Sequence, residues 1–388
     1  MAERQPVSSY TLERMGVWIE LFYDLVFVAA ILVFSSAVSH LHDATRIAWV
    51  VAVFCAVWWV WLSTTMFTNR FRMTDAVHRG LVLTQMILVA VVAMESNAGV
   101  KDDEVLILST YAALVGSIAL MYWRAARARG PHAPFARRQS AVHAVSALCF
   151  LVSVPLPQAG RIAGAAIGMA VMIAPAAMRS IHLVDFPPID EEHLVERFGA
   201  FTIIVCGEAF VKVAIAVSDS TVDGIDVVAL VFQFILTFAL WSSYFEDVPF
   251  AGIDQNRFAT WSSCHLVMQL GIAGSAIGVS KLVALGFFEH LPAEDILEIM
   301  AALCLVYLGL AGIGVSTRRS PRRPLLVLRL VTALAVAAIG LVAWKVPWFE
   351  LLEGVAVLTV AALVHAFLVP RFRARTEVVA ADVPLRPT

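Results

Sequence analysis

The chain has 388 residues, 60% hydrophobic and 15% charged, with a net charge of −2 and a mean hydropathy of +0.82. A soluble domain carries about 25% charged residues to cover its surface, so a water-exposed globule of this composition is excluded. No basic stripe with interleaved aromatics is present, so no nucleic-acid partner is expected, and five cysteines, an odd number without a CxxC, argue against a disulfide framework and a zinc site.

A bilayer core of about 30 Å is crossed by about 20 helical residues rising 1.5 Å each. Twelve apolar runs approach that length, at 18–40, 48–68, 80–94, 104–123, 140–156, 159–178, 198–217, 227–245, 265–285, 296–316, 325–344 and 351–369. The expected fold is all-α, a polytopic membrane protein whose main partner is the lipid bilayer. Residues 1–17 are polar and lead into an apolar run without a small-residue cleavage site, which reads as a retained first helix.

Basic residues set the orientation. Arg4, Arg14, Arg70, Arg72, Arg79, the five arginines of 124–138, Arg179, Arg197, Arg257, the four of 318–323 and the four of the tail make 21 on one side. Arg46, Lys101, Arg161, Lys281 and Lys345 make five on the other. Both termini are therefore expected in the cytoplasm. Trp18, Trp123, Trp241 and Trp261 fall at inner ends, and Trp49, Trp344 and Trp348 at outer ends, as an interfacial belt would.

Two signatures recur. Glu13-Arg14-Met15-Gly16 precedes the first run and Glu196-Arg197-Phe198-Gly199 the seventh, each followed by an intramembrane acid, Asp24 or Glu208. Asn69-Arg70-Phe71 leads to His78, and Asn256-Arg257-Phe258 to His265, at the same spacing. The expected organisation is an N-terminus (1–17), a first six-helix repeat (18–178), a linker (179–197), a second repeat (198–369) and a basic tail (370–388). An even number of helices per repeat makes the two parallel, with a site expected where they meet.

Charges inside hydrocarbon each cost about 2.5–3.5 kcal/mol on the mildest scale. Glu20 and Asp24 lie four apart and share a helix face with no local counter-ion; they form either a cation or proton site or a pair reaching the interface or Arg14. Glu208 and Lys212 are also four apart, as a binding pair or a neutralised structural one. His265 and Gln269 are a turn apart, and His193 precedes the seventh run. His143, His265 and His365 show no convincing ligand spacing, so neither a metal nor a cofactor is expected, with haem binding as the lesser alternative.

Gly160, Gly164 and Gly168, and Gly271, Gly274 and Gly278, form small-residue stripes for close helix packing, with a homodimer face as the alternative. The segment 287–298 is acidic, either a solvated loop or a cation-collecting mouth. No P-loop, GxSxG or HExxH occurs, which argues against a nucleotide-driven pump.

Glu20-Leu21-Phe22-Tyr23-Asp24-Leu25-Val26-Phe27-Val28 resembles the ELFFDLVFV start of the bacterial low temperature requirement protein A family. The run from Glu196 to Glu208 resembles that family's ERFGLFTIIVLGE, with His193 where the family often has a histidine. Trp241 to Phe245 and His265-Leu266 are similar to its later signals; Tyr23, Cys206 and Val267 depart from the pattern. The resemblance implies a multi-pass bacterial inner-membrane protein, under a name that reports a growth phenotype and not a mechanism. Phe22-Tyr23-Asp24 is also similar to the FSD motif of potassium channels built as tandem six-helix repeats.

Three functions compete. A transporter or channel for a small cation or proton would use Glu20, Asp24, Glu208 and Lys212, supported by Arg14, Arg197, His193, His265 and Gln269. An intramembrane lipid-handling enzyme would need a nucleophile that the sequence does not supply. A non-catalytic membrane sensor or partner would use the charges only to set helix register.

Overall fold

The computed structural model describes residues 9–39, 44–97, 104–128, 130–180, 187–219, 224–285, 293–318, 323–345, 360 and 362–371, which are helical apart from short turns and connections. The helices are α1 (Ser9–Ser39), α2 (Ala44–Phe71), α3 (Ala76–Asn97), α4 (Glu104–Arg127), α5 (Ala133–Ser153), α6 (Gln158–Ser180), α7 (Glu191–Asp219), α8 (Gly224–Phe245), α9 (Phe258–Leu285), α10 (Ala293–Val315) and α11 (Arg323–Lys345). A shorter apolar helix, α12 (Ala362–Arg371), follows. The first eleven apolar runs thus fall on helices, as does the described part of the twelfth. Hydrocarbon offers no partner for backbone N–H and C=O groups, so a spanning segment must bond internally.

Eight of these, α1–α4, α7 and α9–α11, are long and apolar enough among the described residues to cross a membrane. Helix α3, one of the shortest runs in sequence, qualifies over Ala76–Ser96. Helix α5 is fully described and does not qualify, because Arg137, Arg138, Gln139 and His143 dilute its apolar character.

The chain divides into two units, Met1–Phe201 and Thr202–Thr388. In the first, α1 packs on α2 and α3, α3 on α4, α4 on α5 and α5 on α6. The glycine stripe of α6 is spent on that last contact. A Cβ at Gly164 would sit 2.4 Å from Ser153 Cβ, and one at Gly168 2.7 Å from the Phe150 ring. The basic ends gather at one end of this unit. Arg124 bonds both Asp75 oxygens at 2.9 and 3.1 Å, Arg70 lies over the Phe135 ring, and Arg72 pairs with Asp190. At the other end Arg161 and Gln158 bond Glu104.

Helix α1 is built inside out relative to a soluble amphipath. Its buried face carries Tyr23, Asp24 and Phe27, while Trp18, Phe22 and Leu25 are exposed. Lipid is as apolar as leucine, so the outward face gains nothing by burial and the inward face is free to carry polar groups.

In the second unit α10 packs between α9 and α11. A Cβ at Gly271 would meet the Ala302 carbonyl at 2.5 Å, and one at Gly309 the Met268 nitrogen at 2.7 Å, so backbones of α9 and α10 run in near contact. The loop before α9 is clasped to the loop after α10 by an Ile253–Thr317 bridge and by Arg257 Nη1 donating to the Val315 carbonyl at 2.7 Å.

The recurring Asn-Arg-Phe triplets fall on different local structure. Asn69–Phe71 closes α2, whereas Asn256 and Arg257 form a 3-10 turn and Phe258 opens α9. A closer parallel is a fully buried glutamine on the following helix in each unit, Gln85 on α3 and Gln269 on α9, each bonded to a threonine of another helix.

Candidate functional site

Helix α7 begins at Glu191, seven residues before the run expected from hydropathy, so His193 and Arg197 are already helical. Asp190 caps it, accepting from the His193 N–H at 3.2 Å. The end of α2 holds that cap in place. Asn69 Nδ2 donates to the Asp190 carbonyl at 2.9 Å, and the Asp190 N–H donates to Asn69 Oδ1 at 3.1 Å.

This docking brings two four-residue spacings against each other. His193 and Arg197 are one turn apart on α7; Glu20 and Asp24 are one turn apart on α1. His193 Nε2 lies 2.9 Å from Glu20 Oε2, and Arg197 Nη2 lies 2.7 Å from Asp24 Oδ1. Arg197 Nε is 3.9 Å from Glu20 Oε2, which links the two rungs. The expectation that Glu20 and Asp24 lack a counter-ion is therefore corrected: Arg197 supplies the charge, and His193 adds a hydrogen bond to Glu20. The sequence already holds the matching spacings on two segments far apart in the chain, but only the docking of α2 against the start of α7 sets their register.

Trp61 of α2 closes the site. Its indole N–H donates to Asp24 Oδ1 at 2.6 Å, and its ring packs on Phe198 at 5.0 Å and Phe201 at 4.4 Å between centroids. Asp24 Oδ1 thus accepts two bonds. Asp24 Oδ2 and Arg197 Nη1 are buried with no hydrogen-bond partner. Exposure of the side chains falls along the set, from 22% at His193 and 17% at Glu20 to 6% at Arg197 and 0% at Asp24.

A neutral network adjoins it. Tyr23 OH donates to Gln85 Oε1 at 2.8 Å, Thr64 Oγ1 donates to the same oxygen at 3.1 Å, and Gln85 Nε2 donates to Ser117 Oγ at 2.9 Å. Sequence reasoning missed Trp61 and Gln85, because neither carries a charge, and noted Asn69 only as part of a recurring triplet; for Gln85 a polar amide inside an apolar run was the available signal.

Glu208 and Lys212 are both buried, one turn apart, in the second unit, and their charges interact. There Gln269 Nε2 donates to Thr202 Oγ1 at 3.1 Å. His265 is paired with Tyr244 OH at 3.1 Å and with the Trp261 carbonyl at 2.8 Å. The side chain of Arg14 lies outside the described residues.

Two buried ion clusters of the second unit went unpredicted. Arg329 Nη2 lies 2.9 Å from Asp247 Oδ2, while its Nη1 donates to the Leu310 carbonyl. Lys281 sits 3.1 Å from Asp295 and 2.5 Å from Glu298, so two acids of the 287–298 segment hold a lysine of their own chain.

Helices with apolar exteriors and charges turned inward define a multi-span helical membrane protein. The chain belongs to the family described as bacterial low temperature requirement A protein (LtrA), whose profile matches residues 17–366. An uncharacterised protein of Rhizobium meliloti (strain 1021) is similar to it, 29% identical over 237 residues that cover 59% of this chain and 58% of that one. The chain thus matches less than two thirds of that relative's length.

Proposed function

We propose that the protein moves a small cation or proton across a bacterial inner membrane, as a transporter or channel with both termini in the cytoplasm. The observation that carries this is the Glu20–His193–Arg197–Asp24 set, four ionisable groups, two of them buried, on helices long and apolar enough to cross a membrane. Desolvating charges there is expensive, and buried pairs contribute little net stability over apolar residues of the same volume. A set kept at that cost, with an unpartnered carboxylate oxygen and guanidinium nitrogen, is what an ion pathway requires. Duplication of a six-helix unit, with Glu208 and Lys212 as the counterpart of the first-half acids, fits the same reading.

The test is flux into proteoliposomes of the purified protein, for K⁺, Na⁺ and H⁺ separately, comparing Asp24→Asn and Glu208→Gln with the parent. Transport predicts flux in the parent and its loss in at least Asp24→Asn. A static clamp, the sensor alternative, predicts no flux in any of them.

A further inference from the structure

Beyond this reading, though resting on it, we infer that the ion handled at the α1–α7 site is the proton, and that it lands on Asp24 Oδ2.

The charge count comes first. Asn69 Oδ1 accepts from the Asp190 N–H, which fixes the amide so that Nδ2 points at His193 Nδ1, 3.1 Å away. An amide NH₂ can only donate. His193 Nδ1 is therefore the acceptor, Nε2 carries the hydrogen, and that hydrogen is donated to Glu20 Oε2 at 2.9 Å. A second proton on this imidazole would place two donors face to face, so Asn69 holds His193 neutral. With both carboxylates ionised, Arg197 cancels one charge and one remains. A single proton brings the set to zero.

A metal cation would meet worse terms. It has to exchange most of its water shell for several oxygen ligands. At this site Asp24 Oδ1 is already taken by Arg197 and Trp61, Glu20 Oε2 by His193, and the guanidinium 2.7 Å from Asp24 repels any added cation. A proton needs one open lone pair, and Asp24 Oδ2 has it. Other groups facing the carboxylates leave this unchanged: Thr68 and Trp61 on α2 are neutral donors, Tyr23 is turned to Gln85, and His78 of α3 lies within electrostatic reach of Glu20.

The step balances simply. A proton from the exposed end forms the carboxylic acid of Glu20; its O–H breaks as an O–H forms at Asp24 Oδ2, one helical turn further in. Glu20 returns to carboxylate, and Arg197 is left facing a neutral acid. His193 is a positioning residue, donating throughout and never carrying the proton.

The experiment uses proteoliposomes with a trapped pH-sensitive dye, an imposed pH gradient and a clamped membrane potential, run beside radioactive sodium and rubidium uptake. The proposal expects proton entry without sodium or rubidium uptake. Asp24→Asn should lower it by about a hundredfold, the lower end of what a positioned proton acceptor contributes. His193→Gln, whose amide can still donate to Glu20, should keep most of the flux that His193→Leu loses. Should Asp24→Asn not assemble, a hydrophobic carbodiimide, which reacts with protonated carboxyls in apolar surroundings, should label Asp24 in the unaltered protein and block entry. Sodium or rubidium uptake without proton movement, loss of flux in His193→Gln equal to that in His193→Leu, or proton entry untouched by carbodiimide would overturn the proposal while leaving transport standing. Absence of every flux would instead remove the transport reading beneath it.

Discussion

Arg197 Nη2 and Asp24 Oδ1 lie 2.7 Å apart, on helices that begin far apart in sequence and within stretches long and apolar enough to cross a membrane. A pair so placed is asymmetric in its energetics. It adds little over apolar residues of equal volume, but removing one partner strands the other charge. Arg197→Ala is therefore expected to destabilise the protein by about 3–5 kcal/mol. Adding Asp24→Leu should recover much of that loss. Thermal unfolding in detergent of both single variants and the double reads the coupling; additive losses would show that the pair does not act as a unit.

Asn69 is expected to act through a proton it never exchanges. Replacing it by aspartate swaps two donors for acceptors, so the aspartate should draw the imidazole hydrogen of His193 onto Nδ1. Nitrogen NMR of labelled histidine distinguishes the two tautomers, and an unchanged Nε2–H signal in Asn69→Asp would contradict the assignment. Asn69→Ala removes one of the two donors to the Asp190 carbonyl, which keeps the Leu194 N–H, and leaves the Asp190 N–H without its acceptor, at a cost of about 1–3 kcal/mol.

Close packing makes a graded prediction from one residue type. A Cβ at Gly271 would lie 2.5 Å from the Ala302 carbonyl and 2.8 Å from the Val306 nitrogen, both backbone atoms that cannot swing aside. Gly271→Ala should cost about 1–3 kcal/mol through separation of α9 from α10. Gly80→Ala, with nothing within 4 Å, should be neutral or stabilising by a few tenths of a kcal/mol to about 1 kcal/mol, since alanine is the better helix former. Melting midpoints in the same detergent test the ordering.

At the rim of the first unit Asp75 caps α3. The N–H groups of His78 and Val77 donate to it at 3.0 and 2.9 Å, and with Arg124 they hold its carboxyl below the ordinary value of 3.8. A carboxyl depressed in the folded state stabilises above its unfolded value, and that contribution is lost as pH falls through the lower, folded value. Asp75→Asn should therefore narrow the stability difference between neutral pH and pH below about 4. Asp75→Ala should cost about 1 kcal/mol at neutral pH.

Much of the architecture was legible because hydrocarbon imposes it. A stretch near 20 apolar residues must bond its own backbone, so the described helices could be read from hydropathy, although α5 falls short of a membrane span and ends such as the start of α7 were misplaced. Glu20, Asp24, Glu208 and Lys212 were legible for the same reason, as charges where none belong. Arg197 and His193 were named as supporting residues, but not as the partners of these acids. Arg197 and His193 looked like the last residues of a loop, because hydropathy cannot separate a charged turn of helix from the linker before it.

Amino-acid order alone therefore determined that this is a many-helix membrane protein with ionisable groups held in its spans, since lipid tests each segment separately for length and polarity. Tertiary structure decided which charge answers which. That choice depends on Asn69 pinning Asp190, and so on the register of α7 against α1, a relation between segments more than a hundred residues apart. No property of either segment by itself contains it.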